Sequence, residues 1–347
     1  MKIDKSINNI SFDDILIVPK KSKIDSRANI DIQSKLGNPN NPAAWIHLNI
    51  PVMIAPMDYI STTAMIENIV KVGGVAFIQR WQPLEKRLNQ LQELTKKDIP
   101  ISNIGFALST SESEDKNFID KILSFGIKIL LIDTAFGHTD LCINSVKKLR
   151  SLIPNNVHIM AGNISSYEAY KDLMDAGADS VRVGIGGGAA CNTRFATGIG
   201  VPVLSSIMDV YNNIDHEDIN GIVSDGAIKQ TGDIVKALAA GASAVMMGSM
   251  FSGHDECEKN EFRGIASLSL QLDMLDKKPD NSSQLHIEGV HGNVDPKGSV
   301  SNTLNQMANN IKSGMSYCGA SNLNVFKKTS RFIYVSSQSI QESAPRV

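Results

Sequence analysis

The chain has 347 residues, 42% of them hydrophobic and 20% charged, with a formal net charge of −2. That length can bury a large core and suits either two average domains or one large α/β barrel. With no basic surplus, broad electrostatic binding to nucleic acid is excluded, and any phosphate contact has to come from a local site.

The N-terminal stretch MKIDKSINNISFDD lacks the apolar core of a signal peptide. No run approaches the roughly 18 apolar residues that span a bilayer. Cys142, Cys191, Cys257 and Cys318 show neither CxxC pairing nor dense disulfide spacing and read as reduced thiols. The expectation is a cytoplasmic protein with no membrane or nucleic-acid partner.

Along the chain, short apolar runs recur at Pro51–Ala55, Val75–Ile78, Asn103–Ala107, Ile129–Asp133, His158–Gly162, Ser180–Gly184, Gly221–Asp225 and Ala244–Gly248. They are apolar throughout rather than alternating, as strands are when helices cover one face and a barrel core the other. Amphipathic stretches such as Asp140–Leu152 and Asp233–Ala240 lie between them, and DAGADS and LAAGASA place a glycine where a helix stops. Eight such units predict a single (β/α)8 TIM barrel over residues 1–347, in preference to an open doubly wound sheet. The first turn, APMDYIS, carries no dinucleotide fingerprint.

Two connections are unusually long. One follows the sixth run and contains GIGGGAACNTRFATGIG. The other follows the eighth run, from Phe251 to about Ser299, and includes the polar stretch KKPDNSSQ. Loops after barrel strands line the face where active sites of this fold sit, and long loops there carry function. In the first, the glycines permit close backbone approach to a ligand, and Cys191 follows them directly as a candidate nucleophile. Thr193 is two residues on. The other thiols read as packing or incidental. No histidine pattern suggests a metal site, although His138 and His254 lie in strand-end loops.

The cysteine loop resembles that of the IMP dehydrogenase/GMP reductase family, whose usual form is GxGPGSxCTTR. SFDDILIVPKKS, NIPVMIAPMD, LIDTAFGHTD, MAGNISS, VSDGAIKQTGDIVKALAAGASAVMMGSMFSGHDE, IEGVHGNVDPKGSV and GMSYCGA resemble further family segments in family order. The resemblance implies a homotetrameric oxidoreductase that acts on a purine nucleotide with NADPH or NADH. It makes Cys191 the nucleophile at C2 of the purine, and Thr193 with Glu288 the pair that handles protons there. Asp225 would grip the ribose hydroxyls, Gly226, Gly248 and Ser249 the phosphate, while Met57, Asn163 and Arg182 complete the substrate wall. Asp133, Ala135 and Gly137 would face the cofactor. The backbone carbonyls of Gly186, Gly188 and Cys191 match a monovalent-cation site, for K+.

Within the family, the resemblance leans toward the reductase branch, which converts GMP and NADPH to IMP, ammonia and NADP. Dehydrogenases carry an Arg–Tyr pair on a mobile flap and commonly an inserted regulatory pair of domains. Here residues 264–330 hold no arginine, and no insert follows the second strand. IQRWQPLEKR and SGHDE also lean to reductases, whereas EGVHGNVDPKGSV and GMSYCGA lean to dehydrogenases. Several positions depart from the family pattern. A phosphate-binding serine is Ala189, the second glycine of a DGG turn is Ala227, and a phosphate-binding tyrosine is Phe262. A proline is Gly187, and CTT reads CNT at Asn192. Each hydrogen bond lost to a charged phosphate costs about 1.5–3 kcal/mol. The alternatives are therefore a dehydrogenase-like enzyme, a relative acting on a modified or non-phosphorylated purine, and a catalytically inactive binding protein.

Overall fold

A computed structural model describes residues 9–214, 220–275 and 286–342. Strand β1 (Ile15–Ile17) begins the chain's regular structure, and strands β2 (Ser34–Leu36) and β3 (Ile46–Leu48) form an antiparallel hairpin. The barrel follows, with β4 (Val52–Ile54), β5 (Val75–Ile78), β6 (Ile104–Leu108), β7 (Ile129–Asp133), β8 (His158–Ile164), β9 (Ser180–Val183), β10 (Ile222–Asp225) and β11 (Ala244–Met247). Neighbours pair in parallel, and β11 pairs with β4 to close the cylinder. These are the eight apolar runs, so the expected (β/α)8 barrel is the observed fold.

Each barrel strand leads into a helix, in order α1 (Thr63–Lys71), α2 (Leu84–Leu94), α3 (Lys116–Leu123), α4 (Asp140–Leu152) and α5 (Tyr167–Asp175). A short α6 (Thr193–Thr197) then precedes α7 (Val203–Asn213) and α8 (Thr231–Ala239), followed by α9 (Leu268–Leu275), α10 (Val300–Tyr317) and α11 (Leu323–Thr329). Side-chain caps start many of them: Thr62, Asp115, Thr139 and Ser166 each accept an N–H from the first turn of α1, α3, α4 and α5. Helix α10 packs against both α8 and α1 and completes the outer ring.

The apolar runs are buried on both faces, for two different reasons. Outward-facing residues such as Ile54, Ile78, Leu130 and Val245 meet the helices. Inward-facing Met53, Val75, Phe77, Ile129, Leu131, Met160, Val223 and Met246 fill the barrel, and Leu36, Ile46 and Leu48 of the β2–β3 hairpin plug it from below. The lower barrel is thus solid, which leaves the upper end for a ligand.

Both long connections have more internal structure than open loops. The first contains α6. The second folds back as an antiparallel pair, β12 (Glu261–Arg263) with β13 (His291–Asn293), and carries α9 between them. The stretch KKPDNSSQ lies outside the described residues. Strand β14 (Phe332–Tyr334) returns to pair with β1.

Candidate active site

Strand ends and the two long connections enclose a cavity of about 1210 Å³ at the top of the barrel. The loop after β9 enters it because Gly184, at φ 150°, passes the end of β10 so closely that a Cβ there would sit 2.0 Å from the Asp225 carbonyl oxygen. Only glycine fits. The chain then runs through Gly186–Gly188 to Cys191, which is partly exposed at the cavity wall.

Cys191 Sγ donates to Thr193 Oγ1 at 3.2 Å, and Thr193 Oγ1 donates to Glu288 Oε2 at 2.6 Å. A thiol proton therefore has a two-step path to a carboxylate, and a proton held on Glu288 has the same path back. The backbone fastens this line. Asn192 N–H donates to the Glu288 carbonyl at 2.6 Å, Val290 N–H to the Ala190 carbonyl at 2.9 Å, and Cys191 pairs with Gly289 in an isolated bridge. Glu288 is brought to Cys191 by the backbone of residues 288–290, just ahead of β13.

The cavity floor is a chain of charges. Asp133, at the end of β7, accepts from Arg182 Nη2 at 2.5 Å and from Arg80 Nε at 3.1 Å, so both its oxygens are engaged. Arg182 Nη1 also lies 3.5 Å from Asp225 Oδ2, which accepts from Asn163 Nδ2 at 2.9 Å. A bulge in β8 beside Asn163 turns that side chain toward β9 and β10, where it also reaches the Gly184 carbonyl at 2.8 Å. Burial raises the Asp225 pKa, opposed by Arg182 and Asn163. Its side chain still keeps 17% of its exposure, enough to meet a ligand hydroxyl.

Another part of the wall is lined by Gly226, Gly248 and Ser249 with Met57, Ala189, Ala227 and Phe262, and is called here the anion end. Among the described residues, the N–H groups of Gly188, Ala189, Gly226, Gly248 and Ser249 have no hydrogen-bond partner in the protein. Free N–H groups on three segments of one cavity wall are the kind of backbone donors that bind anions. Met57 packs on Gly248 so tightly that a Cβ there would lie 2.4 Å from its sulfur.

Residues 9–346 match the family model described as the IMP dehydrogenase / GMP reductase domain. The chain belongs to that family. It is 29% identical to an inosine-5′-monophosphate dehydrogenase of Borreliella burgdorferi across 97% of this chain and 96% of that protein. It is 36% identical to a GMP reductase of Leishmania major over 69% of this chain, and spans 51% of that longer protein. A crystal structure of GMP reductase from Trypanosoma brucei in complex with guanosine 5′-monophosphate superposes over 99% of this chain with a TM-score of 0.87 at 22% identity, which is likeness of fold. Membership makes this an oxidoreductase of a family that uses nicotinamide cofactors.

Of the residues singled out from sequence, Cys191, Thr193, Glu288, Met57, Asn163, Arg182, Asp133, Ala135, Asp225, Gly226, Gly248, Ser249, Gly186 and Gly188 all reach the cavity wall. Gly137 does not. It stands behind the wall, its N–H donating to the Asn163 carbonyl at 2.7 Å. Of the three carbonyls matched to a cation, that of Gly188 accepts the Cys191 N–H at 3.0 Å. His254 is buried against Thr303, at 2.8 Å, and His138 pairs with Asp172 at 2.9 Å, so neither lines the cavity. Sequence reasoning missed Arg80, Trp81 and Phe136, which line it. The position of Arg80, two residues beyond the VAFI run, was the available signal. For a nicotinamide, the fitting part of the wall is the apolar stretch of Trp81, Ala135 and the half-exposed Phe136, which offers flat ring surface to a planar heterocycle.

No helix among the described residues is long and apolar enough to cross a membrane.

Proposed function

We propose that this protein is a GMP reductase, converting GMP and NADPH to IMP, ammonia and NADP. The observation that carries the reading is the Cys191–Thr193–Glu288 line, set in a cavity whose arginines among the described residues, Arg80 and Arg182, are already paired. Cys191, deprotonated through Thr193, adds to C2 of the purine and forms a covalent adduct. Glu288 returns a proton through Thr193 to the amino group, which leaves as ammonia. A bound reduced nicotinamide supplies the hydride that replaces it at C2, and Cys191 departs as thiolate. Asp225 accepts the ribose hydroxyls, and the five free N–H groups receive the 5′-phosphate. A homotetramer and a K+ ion on the loop carbonyls belong to the same proposal.

A dehydrogenase would need a base to activate water at C2. The arginine beside the flap-like excursion, Arg263, is 6% exposed and donates to Asp58 at 2.7 Å and to Asp273 at 2.6 Å. Those bonds turn it away from the cavity. One observation favours a second reading, a purine without the phosphate: Ala189, Ala227 and Phe262 offer no side-chain donor at the anion end.

The test is the absorbance of reduced nicotinamide with GMP, guanosine, IMP and related purines offered in turn, with Cys191→Ala as control. Consumption of NADPH with GMP, ammonia released in equal amount, and less than a few per cent of that rate in the control are the expected results. Formation of reduced nicotinamide from IMP would instead identify a dehydrogenase, and turnover of guanosine in preference to GMP would identify the second reading.

A further inference from the structure

The anion end of the cavity is short of charge. Among the described residues, the charges that line the whole cavity are Arg80, Arg182, Asp133, Asp225 and Glu288, two cations against three carboxylates. Both arginines pair with those carboxylates. A phosphate seated against the free N–H groups therefore meets no unpaired cation on the wall among the described residues.

One cation reaches that end from behind. Lys297, between β13 and α10, donates from Nζ to the carbonyls of Ser249 at 3.2 Å and Met250 at 3.4 Å. No carboxylate lies within ion-pair distance of it among the described residues. Its own N–H is fastened to the Gly253 carbonyl at 2.7 Å, and Asp255 N–H donates to the Gly298 carbonyl at 3.1 Å, so the lysine is held on two anchored segments. The turn it contacts is closed by Phe251 N–H on the Gly248 carbonyl at 2.9 Å. Carbonyls of this turn point to the lysine, while the N–H groups of Gly248 and Ser249 stay free. The Met250 carbonyl that accepts from Lys297 shares its peptide with the Phe251 N–H, which donates to the Gly248 carbonyl, and that second peptide carries the free Ser249 N–H. A cation at one end of this series and an anion at the other polarise both peptide dipoles in the same sense.

We propose that Lys297 is a positioning and specificity-determining residue, whose charge sets the Gly248–Phe251 turn to hold a phosphate rather than a bare 5′-hydroxyl. This rests on the reading of that end as the phosphate site. Because the lysine touches no ligand, it acts wholly through the turn, and its effect is confined to ligands that carry the anion. Lys297 is exposed to solvent, so its charge is screened by salt and its effect on the turn is largest at low ionic strength.

The experiment is calorimetric binding of GMP, IMP, guanosine and inosine to the full chain and to Lys297→Gln and Lys297→Arg. Glutamine keeps a donor and removes the charge, whereas arginine keeps the charge. At low ionic strength, Lys297→Gln should weaken GMP and IMP about threefold to fivefold, leave both nucleosides within about twofold, and lose the salt dependence of nucleotide binding. Lys297→Arg should restore nucleotide affinity. An equal loss for nucleotides and nucleosides, or unchanged nucleotide affinity in Lys297→Gln, overturns the inference about Lys297 and leaves the phosphate reading standing. Wild-type protein that binds guanosine as tightly as GMP overturns both. Should Lys297→Gln fail to fold, the inference falls if Lys297→Arg, folded, has lost the nucleotide preference.

Discussion

Cys191, Thr193 and Glu288 form one hydrogen-bonded line, and in the proposed reaction its weak point is the far end. In that line Thr193 passes the proton on, and the Glu288 carboxylate is the group that accepts it. Glu288→Gln keeps a hydrogen-bond partner for Thr193 while removing the carboxylate that accepts the proton. Turnover should fall by about 100- to 10,000-fold, the usual range for a general acid–base group, with GMP affinity unchanged. Steady-state rates alongside direct binding check this, and a loss below tenfold would reduce Glu288 to a structural residue. The two ends of this line were not equally legible. Cys191 announces itself by the glycines that precede it. Glu288 stands 95 positions from Thr193 and looks like any surface charge until the backbone bonds from Asn192 and Val290 bring its strand alongside.

The turn after β10 shows how an element absorbs departures from a family pattern. Ala227 sits at φ 61°, in the left-handed region that favours glycine, and its N–H is held by the Gly187 carbonyl at 2.7 Å. The loop facing it has Gly187 where the family has proline. A Cβ at Gly187 would come within 3.4 Å of the Ala227 methyl and 2.5 Å of Val203 Cγ2. The side chain lost at 187 makes room for the methyl gained at 227, so the two departures belong together. The backbone cost remains. Left-handed alanine costs about 1–2 kcal/mol, and glycine gives back about 0.4–1 kcal/mol through its freer unfolded chain. Ala227→Gly should therefore stabilise the protein by about 0.5–1 kcal/mol, read as a higher urea midpoint at unchanged slope. A lower midpoint would mean that the methyl packs better than this geometry indicates. At this scale the sequence marked both long connections as exceptional, yet it could not show that the second returns as the β12–β13 pair, because strand pairing across such a separation leaves no local periodicity.

Across the whole molecule, burial of charge sets the pH response. Lys327 on α11 is buried against Ser243, ahead of β11, and its pKa is lowered to about 7 by desolvation. Since the folded value lies below the ordinary lysine value of 10.5, the unfolded chain binds the proton more tightly. The lysine's contribution to stability is then complete above the unfolded pKa and is lost as pH falls through about 7. Tm should rise from neutral pH toward pH about 10, and Lys327→Met should flatten that rise; an equal slope in both proteins would show that Lys327 does not carry it.

What the sequence determined by itself was whatever is periodic or local. Eight two-sided apolar runs separated by amphipathic stretches have one economical closed arrangement, and the glycine loop with its cysteine points to one kind of chemistry. Tertiary structure decided what depends on juxtaposition: the plugging of the barrel by Leu36, Ile46 and Leu48, the charge ladder from Arg80 through Asp133 and Arg182 to Asp225, the withdrawal of Gly137 behind the wall, and the placing of Lys297 under the Ser249 turn. The physical reason is common to all of them. Local periodicity is set by which side chains must leave water. Hydrogen bonds and ion pairs between distant strand ends form only once the closed sheet has fixed which ends are neighbours.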